Sequence, residues 1–357
     1  MNDLLRPTTR LALLLGLAAL LPLTPGCNDD RSEGRQLIVL GFDGLDPKLC
    51  REMMNQGRLP NIARLRDAGG FKPLGTSTPP QSPVAWCTLT TGTNPGMHGI
   101  FDFIHRKPET YLPYSATAET RKVEKWYDCL LPEHIPFGRY RFELAGSEVV
   151  NLRQGKPFWE YLTESGIPTR VYRMPANYPP TPSKGADFAC LSDMGTPDIQ
   201  GTTGTFTYFT DDPFRRKFSG GGGELVQITF INDQAEVAFH GPPDSLLKPE
   251  TDAKGRPKSP KPVETPLTIY RDPTEPTVRL VWENRQVVLT EGEWTDWHPV
   301  EFKLGPRWPF TDLPILPTTK SIGRFYLKQV RPVFQLYVSP LNVDPLNPAL
   351  PISQPKD

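Results

Sequence analysis

The chain reads as an α/β protein with a mostly parallel sheet covered by helices on both faces, followed by an all-β region. Three observations carry that reading. The continuous apolar run Leu37-Ile38-Val39-Leu40 ends in Gly41-Phe42-Asp43-Gly44, the pattern of a strand buried on both faces. Helical and strand-like segments then alternate up to about Ser219. Beyond Gly220-Gly221-Gly222-Gly223 helical periodicity is gone and short alternating runs replace it. Proline agrees with short elements: 42 of 357 residues, about 12%, against an average near 5%. That excludes a long bundle or coiled coil, because an interior proline costs a helix about 3 kcal/mol.

Taken in order, the chain starts with an address. Arg6 and Arg10 precede an apolar run from Leu11 to Leu23, too short for a mature membrane crossing of about 20 residues. Residues 1–26 therefore read as a secretory signal peptide. The segment Leu23-Thr24-Pro25-Gly26-Cys27 resembles a bacterial lipobox, with Leu23 four rather than three residues before the cysteine. The expectation is export to the cell envelope, with a lipid anchor in the membrane at Cys27 and a polar tether over 27–35. Plain signal cleavage, with Cys27 incidental, is the alternative.

Helices are expected over Pro47–Asn55, over Pro60–Ala68 before Gly69-Gly70, over Ser82–Thr91 before Gly92, and over Phe158–Ser165 before Gly166. A strand is expected over Thr169–Arg173. In the second region, Leu225–Ile231 and Glu236–His240 suggest a hairpin about Asn232-Asp233, and Val278–Glu283 and Gln286–Thr290 another about Asn284-Arg285. Lys248–Val263 reads as a loop, and Phe325–Leu327 and Val333–Val338 as strands. The four glycines read as a flexible junction, since no helix follows them to cradle a phosphate. The expected division is 36–219 as an α/β half-domain, 220–345 as a β-rich insertion or cap, and 346–357 as a return to the first part.

Forty basic and forty acidic residues cancel, so no basic field argues for a nucleic-acid partner. After Cys27 the cysteines are Cys50, Cys87, Cys129 and Cys190, with no Cys-x-x-Cys pair. That spacing argues against a zinc ribbon, and three disulfide connectivities stay open. Cys87, in an apolar helix, is expected to be a buried thiol.

The chemistry lies between residues 43 and 103. Asp43 follows a strand end, where ligands bind in open α/β sheets. Ser82-Pro83 makes an N-cap and first helical residue, and a hydroxyl with backbone N–H groups at a positive helix end suits a phosphate. Each feature alone also has an ordinary structural reading, as a turn aspartate and a helix cap. Thr91-Gly92-Thr93-Asn94-Pro95-Gly96-Met97-His98-Gly99-Ile100 adds a helix stop and a turn of small residues.

At these separations Asp43-Gly44, the Ser82 helix and Thr91–Ile100 together resemble the type I phosphodiesterase/nucleotide pyrophosphatase family of the alkaline phosphatase superfamily. The segment Thr-Gly-x-x-Pro-x-x-His-Gly-Ile is matched at Thr91, Gly92, Pro95, His98, Gly99 and Ile100. Pro175–Pro179 and Ser339–Pro345 look like segments of cap-bearing bacterial members. The resemblance implies an alkaline-phosphatase-like fold and phosphoryl or sulfuryl transfer with two divalent metal ions, usually zinc. Ser82 would be the nucleophile and a metal ligand, and Asp43 a further ligand. Phe103, beside Asp102, stands where nucleotide-hydrolysing members carry an asparagine, which argues against carrying over nucleotide specificity. The family's later Asp-x-x-x-His, Asp-His and last His have no counterpart among His98, His105, His134, His240 and His298, and His98 belongs to the turn.

The expectation is a metal-dependent phosphoric ester hydrolase present as its front half, inactive and metal-poor alone, with the remaining ligands outside this chain. Its substrate would be a phosphate ester. A sulfatase or phosphotransferase acting on an envelope component is one alternative, and an inactive envelope lipoprotein with a binding β-domain is another.

Overall fold

Proline and aspartate start the first helix. Asp46 caps α1 (Pro47–Asn55), its Oδ1 accepting from the amides of Lys48 at 2.7 Å and Leu49 at 2.8 Å. Pro47 occupies the first turn, where its missing N–H costs no bond. Cys50 and Met54, four residues apart, are the buried pair of this helix. α2 (Pro60–Gly69) follows, and Arg66 reaches back to Asn55 at 3.3 Å. The computed structural model describes residues 36–123, 126, 132–144, 146–183, 187–216, 222–248, 250–252, 258, 261–306 and 318–355. The signal peptide, the tether with Cys27, Cys129 and Gly220-Gly221 lie outside the described residues. The chain divides into two units, Met1–Lys72 and Pro73–Asp357, each described by itself.

The expected buried strand at 37–40 is not found. The segment has no ladder partner among the described residues, and Leu37 and Leu40 are 85% and 71% exposed. An apolar run codes for burial only if a neighbouring strand completes its hydrogen bonds and another layer covers its faces. Neither condition is met here.

In the second unit α3 (Ser82–Thr91) and the short α4 (Pro95–His98) come first. The hairpin of β1 (Ile104–Arg106) and β2 (Pro113–Ser115) follows. β3 (Ala118–Lys122) pairs antiparallel with β6 (Ser147–Asn151), and between them β4 (His134–Phe137) and β5 (Tyr140–Glu143) form a hairpin. α5 (Phe158–Glu164) leads into β7 (Thr169–Met174), which lies parallel to β8 (Phe188–Ser192). Trp159, Val171 and Cys190 make the small core between them.

The β-rich part begins at β9 (Phe206–Thr210), which pairs in parallel with β10 (Gly223–Gln227). β11 (Gln234–Pro243), β12 (Pro262–Arg271), β13 (Thr277–Trp282) and β14 (Arg285–Thr290) form an antiparallel sheet in chain order. β15 (His298–Phe302) and β16 (Thr319–Gly323) pair with each other. β17 (Phe325–Gln329) and β18 (Gln335–Val338) complete the sheet order β10-β9-β18-β17. β19 (Asn342–Val343) adds to β16, and β20 (Ser353–Gln354) returns to β8. Alternate residues such as Val278, Leu280 and Trp282 face one shared core with Phe209, Phe239, Phe325 and Leu336. Gly241 is needed there, because a Cβ at that position would stand 2.3 Å from the Phe302 ring.

Mixed α/β content is observed, but the mostly parallel sheet is not. Among the described residues only β7–β8 and β9–β10 are parallel, and every other pair is antiparallel. No helix follows α5 there, and none is long and apolar enough to cross a membrane. The hairpin about residues 284–285 forms with its turn one residue earlier, Trp282 facing Arg285 and Glu283 at φ +50°. The hairpin about 232–233 is corrected. The tight turn exists, with φ +50° and +59° and reciprocal amide bonds between Ile231 and Gln234, but its arms part into different sheets. A turn sets only the local reversal; burial of Ile228 in the shared core draws the first arm away. Residues 262–263 of the expected loop are the start of β12.

Candidate functional site

Asp43 sits in an exposed turn of the first unit with Gly44 at φ +66°. No strand precedes it among the described residues. Ser82 belongs to the second unit, so the structure describes the two residues separately. Ser82 is half-buried at the first position of α3. It is not the cap the sequence suggested: Gln81 takes that place with extended backbone (φ −93°, ψ 142°), so helical geometry begins one residue earlier and Pro83 falls in the first turn. The helix closes at Gly92, φ +67°, whose amide bonds the carbonyl of Thr88 at 2.8 Å.

The turn motif then folds back on α3. Asn94 caps α4 through the Met97 amide at 3.1 Å. His98 is fully buried, its Nδ1 accepting from the Ile100 amide at 3.2 Å. That bond puts the proton on Nε2, which donates to the Thr88 hydroxyl at 3.0 Å. Burial, then the charge of Arg153, holds His98 below its ordinary pKa. Both ring nitrogens are committed, so His98 fixes the turn rather than a metal.

Beneath this turn lies Arg153, 9% exposed. One amino group reaches Thr181 at 2.8 Å and Asn177 at 3.4 Å, and the guanidinium lies over the Trp159 ring. Its Nε and Nη1 make no hydrogen bond with the described residues. Cys87 and Cys190 are buried free thiols on its flanks, both pushed by burial up to about 11. At neutral pH they stay protonated and unreactive. Cys50 is also a buried free thiol.

Beside Pro83, the residue after Ser82, opens a cleft of about 1470 Å3, lined also by Phe103, Tyr178, Asp198, Pro242 and Pro340. One wall is the loop 196–205. Asp198 organises it by accepting from the amides of Gln200, Thr202 and Thr205 and from the Thr202 hydroxyl at 2.6 Å. The same loop is tied to the carbonyl of Leu341 through the Ile199 amide at 2.8 Å and to that of His240 through Gln200 at 2.8 Å. Pro175–Pro179 and Ser339–Pro345, far apart in sequence, thus meet at this cleft through Tyr178, Pro340 and Asn342. Sequence reasoning missed Asp198 and its loop. The only trace was an aspartate followed by Gly201, Thr202 and Gly204, the composition of a side-chain-braced turn.

No group of three His, Cys, Asp or Glu side chains able to hold a metal occurs among the described residues. Asp198 and Asp244 are buried with both oxygens bonded to backbone amides, and Asp344 is buried with its Oδ1 accepting from the Leu346 amide. His105 accepts from the Phe101 amide at 3.1 Å, and His240 pairs with Glu224 at 2.8 Å. The described side chains do not by themselves fit a two-ion centre.

Fold and site together define a mixed α/β protein that carries a serine at a helix start beside a large cleft. A family model described as type I phosphodiesterase/nucleotide pyrophosphatase matches residues 37–253, more than half of the chain, and the chain belongs to that family. The family is one of phosphoester hydrolases. Comparison with curated proteins and with solved structures gives no match.

Proposed function

We propose that the chain is an exported phosphoester hydrolase whose nucleophile is the hydroxyl of Ser82. The observation that carries this is the position of Ser82, at the start of α3 and adjoining a cleft-lining residue, in a chain of a phosphoester hydrolase family. The Ser82 oxygen would attack phosphorus in line and displace the alcohol, leaving a phosphoseryl intermediate for water to hydrolyse. The first turn of α3 supplies backbone N–H groups and the positive end of the helix dipole to the phosphoryl oxygens, where negative charge grows during attack.

The resemblance assigns Asp43 and Ser82 to metal, with two divalent ions, usually zinc. The described residues do not complete such a centre. Export and acylation at Cys27 belong to the same reading: Cys27→Ser should leave an unprocessed precursor in the envelope fraction, whereas normal processing would mean plain signal cleavage.

Hydrolysis of bis-p-nitrophenyl phosphate by the full-length protein, as wild type, Ser82→Ala and Ser82→Thr, tests the nucleophile. Alanine should lower turnover by several orders of magnitude and threonine should retain part of it, because only the latter keeps a hydroxyl. Wild-type rates in Ser82→Ala would remove Ser82 from the reaction.

A further inference from the structure

The sheet of β17, β18, β9 and β10 buries one face in the shared core and lays an aromatic stripe on the other. Phe325, Leu327, Leu336, Val338 and Phe209 turn inward. By strand alternation Tyr326, Tyr337 and Tyr208 fall on the opposite face, and the register sets these three side by side. Trp294 stacks on Tyr326 with ring centres 5.0 Å apart, and Tyr337 continues the row to Phe206 at 5.1 Å. Arg324 stands at the end, 5.4 Å from the Trp294 ring centre and 5.9 Å from that of Trp297. The two tryptophans are 46% and 50% exposed.

The polar tips of this stripe are open to solvent. Arg324 donates through Nε to the Thr295 carbonyl at 2.8 Å, which fixes the guanidinium beside both indoles. Its two amino groups, and the hydroxyls of Tyr326 and Tyr337, have no partner among the described residues and are not enclosed. No carboxylate there lies within ion-pair distance of Arg324. Of the acids beside the indoles, Glu293 accepts from the Thr290 amide at 2.9 Å and Asp296 acts on His298. The C–H face of a sugar ring can lie on an indole, its hydroxyls can accept from such donors, and a carboxylate matches the guanidinium fork. Trp294 is bridged to Tyr326 through the backbone, so the rings lie along a sheet rather than at a loop tip able to dip into a bilayer.

We infer that this stripe binds an acidic glycan, with sugar rings against Trp297 and the Trp294–Tyr326–Tyr337 row and a carboxylate on Arg324. The site belongs to the β-rich part and holds whether or not Ser82 is the nucleophile.

Calorimetry on the full chain with tetragalacturonate and with neutral cellotetraose tests this. Tetragalacturonate should bind about tenfold more tightly, the worth of one charge-assisted bond. Trp297→Ala should weaken both ligands about tenfold, and Arg324→Gln should bring the two to equal affinity. Tyr172→Ala, which removes an exposed aromatic ring on β7, should change neither. Sedimentation with phosphatidylglycerol vesicles should not depend on Trp297. Absence of tetragalacturonate binding, equal affinities in the wild type, or an unaltered affinity in Trp297→Ala would each overturn the inference. Vesicle binding that is lost with Trp297 would assign the stripe to a membrane surface instead.

Discussion

With one ring nitrogen accepting from Ile100 and the other donating to Thr88, His98 is held as the neutral imidazole. Its pKa lies below the ordinary 6.5, because burial first and the Arg153 charge second disfavour the cation. His298 is lowered as well, chiefly by burial. The unfolded chain takes up protons near 6.5 that the folded chain refuses, so stability rises with pH and is lost as pH falls from 6.5 toward the folded values. Thermal midpoints measured by calorimetry should therefore drop between pH 7.5 and pH 5.5. His98→Gln should melt lower at pH 7.5 yet show a shallower pH dependence. A midpoint flat across that range would contradict the lowering of the two histidine pKa values. Arg153 is a second residue whose role is internal: stacked on Trp159, it joins the turn motif to the 177–181 segment, with the Cys87 and Cys190 thiols on either side.

Among the elements, the turn at Asn232-Asp233 connects two sheets rather than two strands of one hairpin. Asp233 accepts from Arg271 Nε at 2.9 Å and lies 3.5 Å from Arg331, while Arg271 lies over the Phe230 ring at 4.2 Å. The Arg271 amide also bonds the carbonyl of Asp233 at 2.8 Å. Replacing Asp233 by alanine keeps the backbone bond and leaves Arg271 with Asp211 at 3.6 Å and Arg331 with the Asp272 carbonyl at 2.6 Å, so it should cost only about 1 kcal/mol, the loss of one partly screened charge-assisted bond. Asn232 sits at φ +50°, where a β-branched side chain meets its own carbonyl. Asn232→Val should cost about 1–2 kcal/mol and Asn232→Gly should be close to neutral. Urea midpoints at constant slope measure both changes, and an unaltered midpoint in Asn232→Val would mean the turn is not formed in solution.

At the scale of the molecule, the metal question turns on where the ligand-type side chains are spent. Carboxylates that are buried brace loops, and His98 and His105 bond backbone amides. With no group of three such residues among those described, the 357-residue chain should hold less than one zinc per molecule after equilibration with zinc and gel filtration, read by mass spectrometry of the metal. Two tightly held ions would show that described side chains rearrange to form a centre. The two units are joined near residues 70–81, which carry no helix or strand, and limited proteolysis should cut there first.

What the sequence determined by itself is local. Proline at a helix start and glycine at its stop depend on neighbours within a turn, so α1, α2, α3 and α5 were legible to within a residue. Asp43 and Ser82 could be singled out in the sequence because each stands in a short contiguous pattern, Asp43-Gly44 and Ser82-Pro83. Tertiary structure alone decided whether 37–40 was buried, because a strand needs partners its own residues do not name. It alone sent the arms of the 232–233 turn into separate sheets and made β7–β8 and β9–β10 the only parallel pairs among the described residues. The cleft was equally illegible: Pro83, Tyr178, Asp198, Pro242 and Pro340 meet across some 250 residues of chain, and only long-range packing of the core brings such distant residues to one wall.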